Sequence, residues 1–249
     1  MESTNEQREC FVLWVRHGER ADNLYIQNLF CRQNTGIEYK FDPPLTQKGK
    51  QQAQFAGQRI KEYIRDGGYQ EAKAKIISSP MLRTLQTAAY LANGLFENNT
   101  SEIITNSQLC VKLKPGLKQD PLKKGTYKQK EQELISKYLD GMIKNIQQDE
   151  LMNLSNPSFP EDNEVFNDRY LKGFKEIINN HFILDAEQSK KQVLILVSHH
   201  KAINLLLKMY NKKLRYNGPS YCATLGFRVV PDENSKDGFK ITHTKVFYK

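Results

Sequence analysis

Long apolar runs are missing from this 249-residue chain, and we expect no secretory leader. No stretch approaches the roughly 18 apolar residues that a membrane-spanning helix needs. The polar start MESTNEQREC leads into an apolar stretch, Phe11 to Val15, that is too short for the core of a signal peptide. We therefore expect neither membrane association nor export, and we predict a cytoplasmic protein.

Cysteine is also scarce, with four residues spread along the chain at positions 10, 31, 110 and 222. No pair shows the C-x-x-C pattern, and no histidine lies at zinc-ligand spacing from any of them. We interpret the four as reduced thiols. A disulfide is the alternative, and the absence of export signals disfavours it.

Acidic residues are outnumbered, since 28 Asp and Glu stand against 37 Lys and Arg, a formal net charge of +9. The excess is concentrated in segment 111–130, which holds seven lysines and one acidic residue, Asp120. Such a segment is either a solvated loop or a surface that attracts an anionic substrate or an acidic protein partner. Nucleic acid is disfavoured as a partner, because no nucleic-acid-binding motif accompanies the charge.

Apolar periodicity predicts alternating strands and helices. Residues 11–15, 75–79 and 193–198 are short apolar runs that suit buried parallel strands. Amphipathic spacing predicts helices over residues 46–65, 81–91, 166–182 and 201–210. The C-terminal part predicts two further strands joined by a polar turn at 231–238.

Residues 96–164 interrupt this alternation. The segment is rich in Asn, Gln and Lys, and a helix is predicted over 131–147. We expect one domain over residues 1–249, of the α/β class, with a mainly parallel central sheet and helices on both faces. A helical or irregular cap insert is expected over roughly 96–164.

Cationic and imidazole side chains follow three of the predicted strands. Arg16 and His17 follow the first, Arg83 comes after the second, and His199 ends the third. Open α/β sheets bind ligands beyond the carboxyl ends of their strands, so these side chains can converge although they lie far apart in sequence. Arginine matches phosphoryl oxygens, and Gly18 lets the backbone approach closely. The pattern therefore predicts a phosphate site.

At this point the sequence resembles the histidine phosphatase superfamily, the phosphoglycerate mutase-like proteins. The matching motifs are VRHGER at 15–20, PLTQKGKQQA at 44–53, SSPMLRTLQTA at 78–88, RYLKGFKEI at 169–177 and LILVSH at 194–199. They span most of the chain, and their order is specific. RHGER and SPMLRTLQTA are most similar to the phosphatase domains of the suppressor-of-T-cell-receptor-signalling proteins, which act on phosphotyrosine. The resemblance implies the phosphoglycerate mutase-like fold.

The resemblance also implies catalytic roles. His17 attacks phosphorus and carries the phosphoryl group, while Arg16 and Arg83 bind the equatorial oxygens. His199 completes the charge pocket. These cationic side chains take the place of a metal ion, so no metal and no other cofactor is expected.

Three further residues are candidate substrate-binding groups. Arg20 matches an arginine of the phosphotyrosine-directed members, although it is also explained as a surface charge. Asn23 matches an asparagine of mutase-type members, and the alternative is a turn residue. His200 stands where many members have a small residue, so its ring narrows the pocket or adds a donor.

The proton donor departs from the family pattern. Aligning the PGL at 115–117 with that of the phosphotyrosine-directed members places Gln119 where they have a glutamate, and glutamine cannot usefully donate a proton. Asp120 is next to it and is the candidate catalytic acid. Glu131 and Glu133 are the alternatives.

These features imply a phosphomonoester phosphatase that acts on a phosphorylated small molecule or a phosphoprotein. A weakened acid favours aryl phosphates, because a phenol has a pKa near 10, whereas an alcohol is closer to water at about 15.7. The alternative is a weak or inactive pseudophosphatase that binds phosphorylated ligands or serves as an interaction protein. A mutase is disfavoured, because the mutase-specific cap segment has no match.

Overall fold

The structure is a computed structural model that describes residues 8–22, 42–96, 101–114, 138–151, 157–184, 190–210 and 220–248. Its strands are β1 (Glu9–Arg16), β2 (Ala74–Ser78), β3 (Ser101–Thr105), β4 (Ile143–Gln148), β5 (Lys191–Ser198), β6 (Thr224–Pro231) and β7 (Phe239–Tyr248). Its α-helices are α1 (Gln47–Asp66), α2 (Leu82–Phe96), α3 (Asn163–Ile178) and α4 (His200–Tyr210), with a 3-10 turn at Ser107–Leu109 and a π-turn at Asn179–Ile183. None of these helices is long and apolar enough to cross a membrane.

The strands form one seven-stranded sheet in the order β4-β3-β2-β5-β1-β6-β7. The first five strands in that order are parallel, whereas β6 and β7 are antiparallel to their neighbours. The two central strands β1 and β5 pair over their whole length, and the last pair is Arg16 with Ser198. The predicted α/β fold with a mainly parallel sheet is confirmed.

Helices cover both faces of this sheet, and each face has its own apolar core. Val12 and Trp14 of β1 pack with residues of α3 and α4. Leu13 and Val15 pack on the opposite face with residues of α1 and α2. Strand β1 is therefore apolar at successive positions, as expected for a parallel strand buried on both faces.

The predicted helix over 131–147 is wrong at its C-terminal end, because Ile143–Gln148 forms β4. Among the strands that the structure describes, β4 lies at the edge of the sheet and pairs only with β3. Ile143 is buried, and the remaining residues of β4 are partly or fully exposed. A polar edge strand shows little apolar alternation, so no strand is predicted there from the residue pattern. Two segments of the expected cap insert, β3 and β4, thus belong to the central sheet.

The three cysteines within the described residues are buried free thiols, at positions 10, 110 and 222. Burial raises the pKa of the Cys110 thiol to about 11 and that of Cys222 to about 12. These thiols are therefore protonated at neutral pH and serve as small apolar core groups. Cys31 lies outside the described residues.

Candidate active site

The carboxyl ends of β1, β2 and β5 meet at one edge of the sheet, and the predicted catalytic residues follow them. The His17 N–H donates to the Ser198 carbonyl at 3.0 Å, and the Ser79 N–H donates to the Val197 carbonyl at 3.0 Å. These bonds continue the parallel ladder by one residue, so the loops leave the sheet side by side. This brings together the predicted catalytic residues that lie in the described ranges, namely Arg16, His17, Arg83 and His199.

His17 is buried, and its ring is oriented by the residue that follows it. Nδ1 of His17 lies 2.8 Å from the carbonyl oxygen of Gly18. A carbonyl oxygen only accepts, so Nδ1 carries the hydrogen and donates it. In the neutral ring Nε2 then keeps its lone pair, as a nucleophile requires.

The surroundings of His17 keep its ring neutral. Burial lowers the pKa of His17 well below its usual value, and the guanidinium group of Arg83 lowers it further. Arg16 and Arg20 act in the same direction, while the bond to Gly18 opposes them. The ring is therefore uncharged at neutral pH and ready to attack an electrophile.

Arg83 is held by a buried carboxylate that sequence analysis missed. Nη1 of Arg83 lies 3.2 Å from Oδ1 of Asp42. The Leu82 N–H donates to the same carboxylate, at 2.9 and 2.8 Å from its two oxygens. Leu82 is the first residue of α2, so Asp42 fixes the start of this helix and the guanidinium together.

The second amino group of Arg83 reaches His199. Nη2 lies 3.3 Å from Nδ1 of His199, which accepts because a guanidinium only donates. Nε2 of His199 then carries the hydrogen and donates to the Ser79 hydroxyl at 3.0 Å. Burial, followed by Arg83, lowers the pKa of His199 well below its usual value. Its neutral ring packs edge-on to His17, with the ring centres 5.4 Å apart.

A buried chain of hydrogen bonds supports the end of β5. The Trp14 indole N–H donates to the Tyr170 hydroxyl at 2.7 Å, which donates to the Ser198 hydroxyl at 2.8 Å. Ser198 in turn donates to the Leu109 carbonyl at 2.7 Å. Because Ser198 directly precedes His199, the chain fixes the backbone position from which the His199 side chain starts.

An aromatic ring flanks the site at Tyr221, which sequence analysis did not identify. The Arg16 guanidinium carbon lies 4.3 Å from the centre of this ring, within cation–π distance. The same ring centre is 6.0 Å from that of His17. Tyr221 therefore forms an apolar wall beside the imidazole and also supports Arg16.

The loop after β1 packs directly on the start of α1. A Cβ on Gly18 would lie 2.5 Å from the Gly49 carbonyl oxygen, and one on Gly49 would lie 2.3 Å from the Glu19 carbonyl oxygen. The Gly18 N–H also donates to the Thr87 hydroxyl of α2 at 3.0 Å. Both glycines are needed because the two backbones touch.

Arg20 lies near the cluster but is paired locally. Its Nε and Nη2 lie 2.8 and 2.6 Å from the two carboxylate oxygens of Asp22. About a third of the Arg20 side chain is exposed. A substrate phosphate would therefore compete with Asp22 for this guanidinium.

His200 is the exposed first residue of α4. Partial burial and the nearby Arg16 lower the pKa of His200. Two other predicted site residues, Asn23 and Asp120, lie outside the described residues. So do Gln119, Glu131 and Glu133, and their roles stay predictions.

The arrangement is suited to binding and attacking a phosphoryl group. Arg16 and Arg83 supply guanidinium donors near His17, which supplies a neutral ring nitrogen. Within the described ranges, no group of three or more His, Cys, Asp and Glu side chains is placed to hold a metal ion.

The family model described as histidine phosphatase superfamily (branch 1) matches residues 12–221. The chain therefore belongs to branch 1 of the histidine phosphatase superfamily. Membership supports an enzyme of the phosphatase or mutase type. No curated protein matches the chain.

Solved structures with this fold cover nearly the whole chain. One is the ecdysone phosphate phosphatase from Bombix mori in complex with tungstate, at 17% identity and a TM-score of 0.56, covering 94% of this chain and 92% of that one. Another is the phosphoglycerate mutase from Bacillus anthracis str. Sterne, at 15% identity and a TM-score of 0.55, covering 95% and 92%. At such low identity these similarities show the fold alone, and they confirm the predicted phosphoglycerate mutase-like architecture.

Proposed function

We propose that this protein is a cytoplasmic phosphomonoester phosphatase that forms a phosphohistidine on His17 and acts best on aryl phosphates. The observation that carries the proposal is the state of His17. Its ring is buried and neutral, and the Gly18 carbonyl leaves Nε2 free to attack. Arginine side chains, rather than a metal ion, bind the phosphoryl oxygens.

In the first step, the Nε2 lone pair of His17 attacks phosphorus. The new N–P bond forms as the bond from phosphorus to the leaving oxygen breaks, and that oxygen keeps the electron pair. The imidazole becomes cationic, so its Nδ1–H bond to the Gly18 carbonyl strengthens as the reaction proceeds. Arg16 and Arg83 stabilise the negative charge on the equatorial oxygens.

In the second step, water attacks the phosphohistidine. The N–P bond breaks with its electron pair returning to Nε2, a proton of the water passes to a base, and inorganic phosphate leaves. His17 is thereby restored to its neutral form. We assign Asp120 as the group that protonates the leaving oxygen in the first step and accepts the proton in the second.

Tyr221 supports the preference for aryl phosphates. Its ring stands beside His17 and is stacked on Arg16, so an aromatic leaving group can pack against it. The sequence adds a chemical reason, because Gln119 stands where a glutamic acid is expected. A phenolate leaves with less help from a proton donor than an alkoxide does.

The second candidate function is a pseudophosphatase that binds phosphorylated ligands without turning them over. The replacement of the expected glutamate by Gln119 favours it. The two candidates make the same prediction for phosphate binding and opposite predictions for catalysis.

Single-turnover hydrolysis of 4-nitrophenyl phosphate tests the proposal. We expect the wild type to release nitrophenol and His17→Ala to lose at least about 10³-fold in rate, since loss of a nucleophile removes the covalent route. His243→Ala is the matched control, because His243 is exposed on β7. Circular dichroism should show both variants folded.

The covalent intermediate is trapped with radiolabelled substrate and an alkaline quench, and the acid lability of the label is then measured. An acid-labile, base-stable label on the wild type, absent from His17→Ala, supports the phosphatase. Equal turnover by the wild type and His17→Ala at matched purity contradicts it. Phosphate binding with no turnover favours the pseudophosphatase.

A further inference from the structure

Two lysines from distant parts of the sequence converge beside the site. Lys112 follows the 3-10 turn after β3, and Lys201 is the second residue of α4. Their ammonium groups lie 3.0 and 2.6 Å from the same oxygen, Oδ1 of Asn163. An amide oxygen carries no net charge, so two like charges are held together without a neutralising group.

A third lysine adds to this concentration of charge. Lys114 is exposed, two residues beyond Lys112. Partial burial lowers the pKa of Lys201, and Lys112 and Lys114 lower it further. We call Lys112, Lys114 and Lys201 the lysine cluster.

The carboxylates near the lysine cluster have other partners. Glu161 partly offsets the charge on Lys201, but its carboxylate is paired with Arg169 and accepts the Leu113 N–H at 3.0 Å. Asp162 caps α3 by accepting the Val165 N–H. Within the described part of the chain, no carboxylate lies within ion-pair distance of the three lysines.

The backbone that carries Lys112 and Lys114 is firmly placed. Leu113, between them, is fully buried and bonded to Glu161 in both directions: its N–H donates to the Glu161 carboxylate and its carbonyl accepts the Glu161 N–H at 2.7 Å. Arg169 ties Glu161 to the Gln108 carbonyl at 2.7 Å. The cluster is therefore built on a buried ion pair, not on an unsupported loop.

The lysine cluster is continuous with the phosphate site. Lys201 is two residues from His199, and His200 stands between them. Both Arg16 and Lys114 contribute to the lowered pKa of His200. Positive charge thus extends from Arg16 past His200 to the three lysines.

We propose that the lysine cluster is a subsite for a second anionic group of the substrate. The substrates would then be phosphomonoesters that also carry a carboxylate or a second phosphate, with one anion at Arg16 and Arg83 and the other at the lysines. A bound anion would relieve the repulsion among the ammonium groups. This inference rests on the proposed phosphatase function and narrows its substrate class.

Two isosteric aryl phosphates test the subsite. The first is 3-carboxyphenyl phosphate, and the second is 3-carbamoylphenyl phosphate, which has the same shape without the charge. We expect the wild type to favour the carboxylate by at least about tenfold in kcat/KM, mainly through KM, which corresponds to about 1.4 kcal/mol. A third substrate, 3-phosphonophenyl phosphate, tells whether the subsite prefers a carboxylate or a phosphate-like group.

The double variant Lys112→Gln with Lys201→Gln should reduce this preference to less than about twofold. Its kcat/KM on the carbamoyl substrate should fall by less than its kcat/KM on the carboxylate substrate. Lys236→Gln controls for the loss of an exposed lysine charge as such, because Lys236 lies in the β6–β7 turn at the opposite end of the sheet. The same preference in the double variant and the wild type would overturn the proposal.

Failure of the phosphatase function is separated from failure of the subsite by a binding measurement. If the wild type hydrolyses none of these substrates, titration calorimetry of each compound on the wild type and the double variant still tests the subsite. Tighter binding of the carboxylate by the wild type alone supports it. Equal affinities for the two isosteres contradict it.

Discussion

Arg83 places Nη1 3.2 Å from Oδ1 of Asp42, and both side chains are almost completely buried. The same carboxylate accepts the Leu82 N–H, so the guanidinium is held against the first turn of its own helix. Nη2 is then directed towards His199. Asp42 is therefore a positioning residue that acts through Arg83.

Asp42→Asn should lower kcat/KM on 4-nitrophenyl phosphate by at least about tenfold, or about 1.4 kcal/mol. The amide can still accept the Leu82 N–H, but it no longer holds the charge of Arg83. We expect most of the loss in KM, because a misplaced guanidinium binds phosphate poorly. Asp42→Ala should also destabilise the fold, by about 3–5 kcal/mol, since it leaves a buried charge unpaired.

Asp66→Asn is the control for this experiment, because its pair with Arg65 is exposed. It should change neither kcat/KM nor the urea midpoint measurably. If Asp42→Asn has wild-type kinetics, Asp42 has only a structural role. If partial activity returns in Asp42→Glu, the carboxylate is what positions Arg83.

The pH dependence of kcat/KM should reveal the lowered pKa of His17 in the free enzyme. An ordinary histidine becomes protonated below about pH 6.5, and a protonated ring cannot attack phosphorus. Because burial and Arg83 lower the pKa of His17, protonation needs more acid. We therefore expect kcat/KM to stay level as pH falls through 6.5 and to decline only at lower pH.

Arg83→Met tests the electrostatic part of this argument. Removing the cation should raise the pKa of His17, so the acid limb of the residual kcat/KM profile should move to higher pH. Arg228→Met, on β6, removes an equal charge elsewhere and should leave the limb in place. If the acid side of the pH profile does not move in Arg83→Met, burial alone lowers the pKa of His17.

Gly49→Ala should destabilise the protein, although alanine normally stabilises a helix interior relative to glycine by about 1 kcal/mol. The new Cβ would lie 2.3 Å from the Glu19 carbonyl oxygen. The loop carrying His17 must then shift, and we expect a loss of about 1–3 kcal/mol together with reduced kcat. Urea unfolding of Gly49→Ala and of Gln51→Ala, an exposed position on the same helix, provides the comparison.

Gln119→Glu should increase turnover of alkyl phosphates more than that of activated aryl phosphates. General acid catalysis is worth about 10²–10⁴-fold, and poor leaving groups depend on it most. Asp120→Asn should lower the alkyl-to-aryl ratio if Asp120 is the donor. A ratio unchanged by both substitutions would direct attention to Glu131 and Glu133. Because these residues lie outside the described residues, this prediction rests on the sequence.

Much of the fold was predictable because both faces of β1 and β5 are buried. Their apolar runs, 11–15 and 193–198, are too short for a typical helix and suit strands buried on both faces. The prediction of a helix over 131–147 failed at its C-terminal end for the opposite reason. Strand β4 has one neighbour and mostly exposed side chains, so its backbone pairing, which sequence does not display, determines its structure.

Residues of the candidate site were predictable only where a charged or imidazole side chain comes at the end of a predicted strand. Arg16, His17 and His199 follow strand ends directly, so strand prediction located them. Asp42 was missed because it is a single acid before two prolines, and its role arises from contact with a residue 41 positions away. Tyr221 was missed because a single aromatic residue outside the predicted helices and strands carries no periodic signal.

The hydrogen-bonded chain from Trp14 to Ser198 gives the protein an internal optical reporter. Trp14 is the single tryptophan of the sequence, so selectively excited indole fluorescence comes from one place. That place is joined through the Tyr170 hydroxyl to the residue preceding His199. A phosphate analogue that shifts the end of β5 would change the polarity around the indole, and its binding could be followed without any added label.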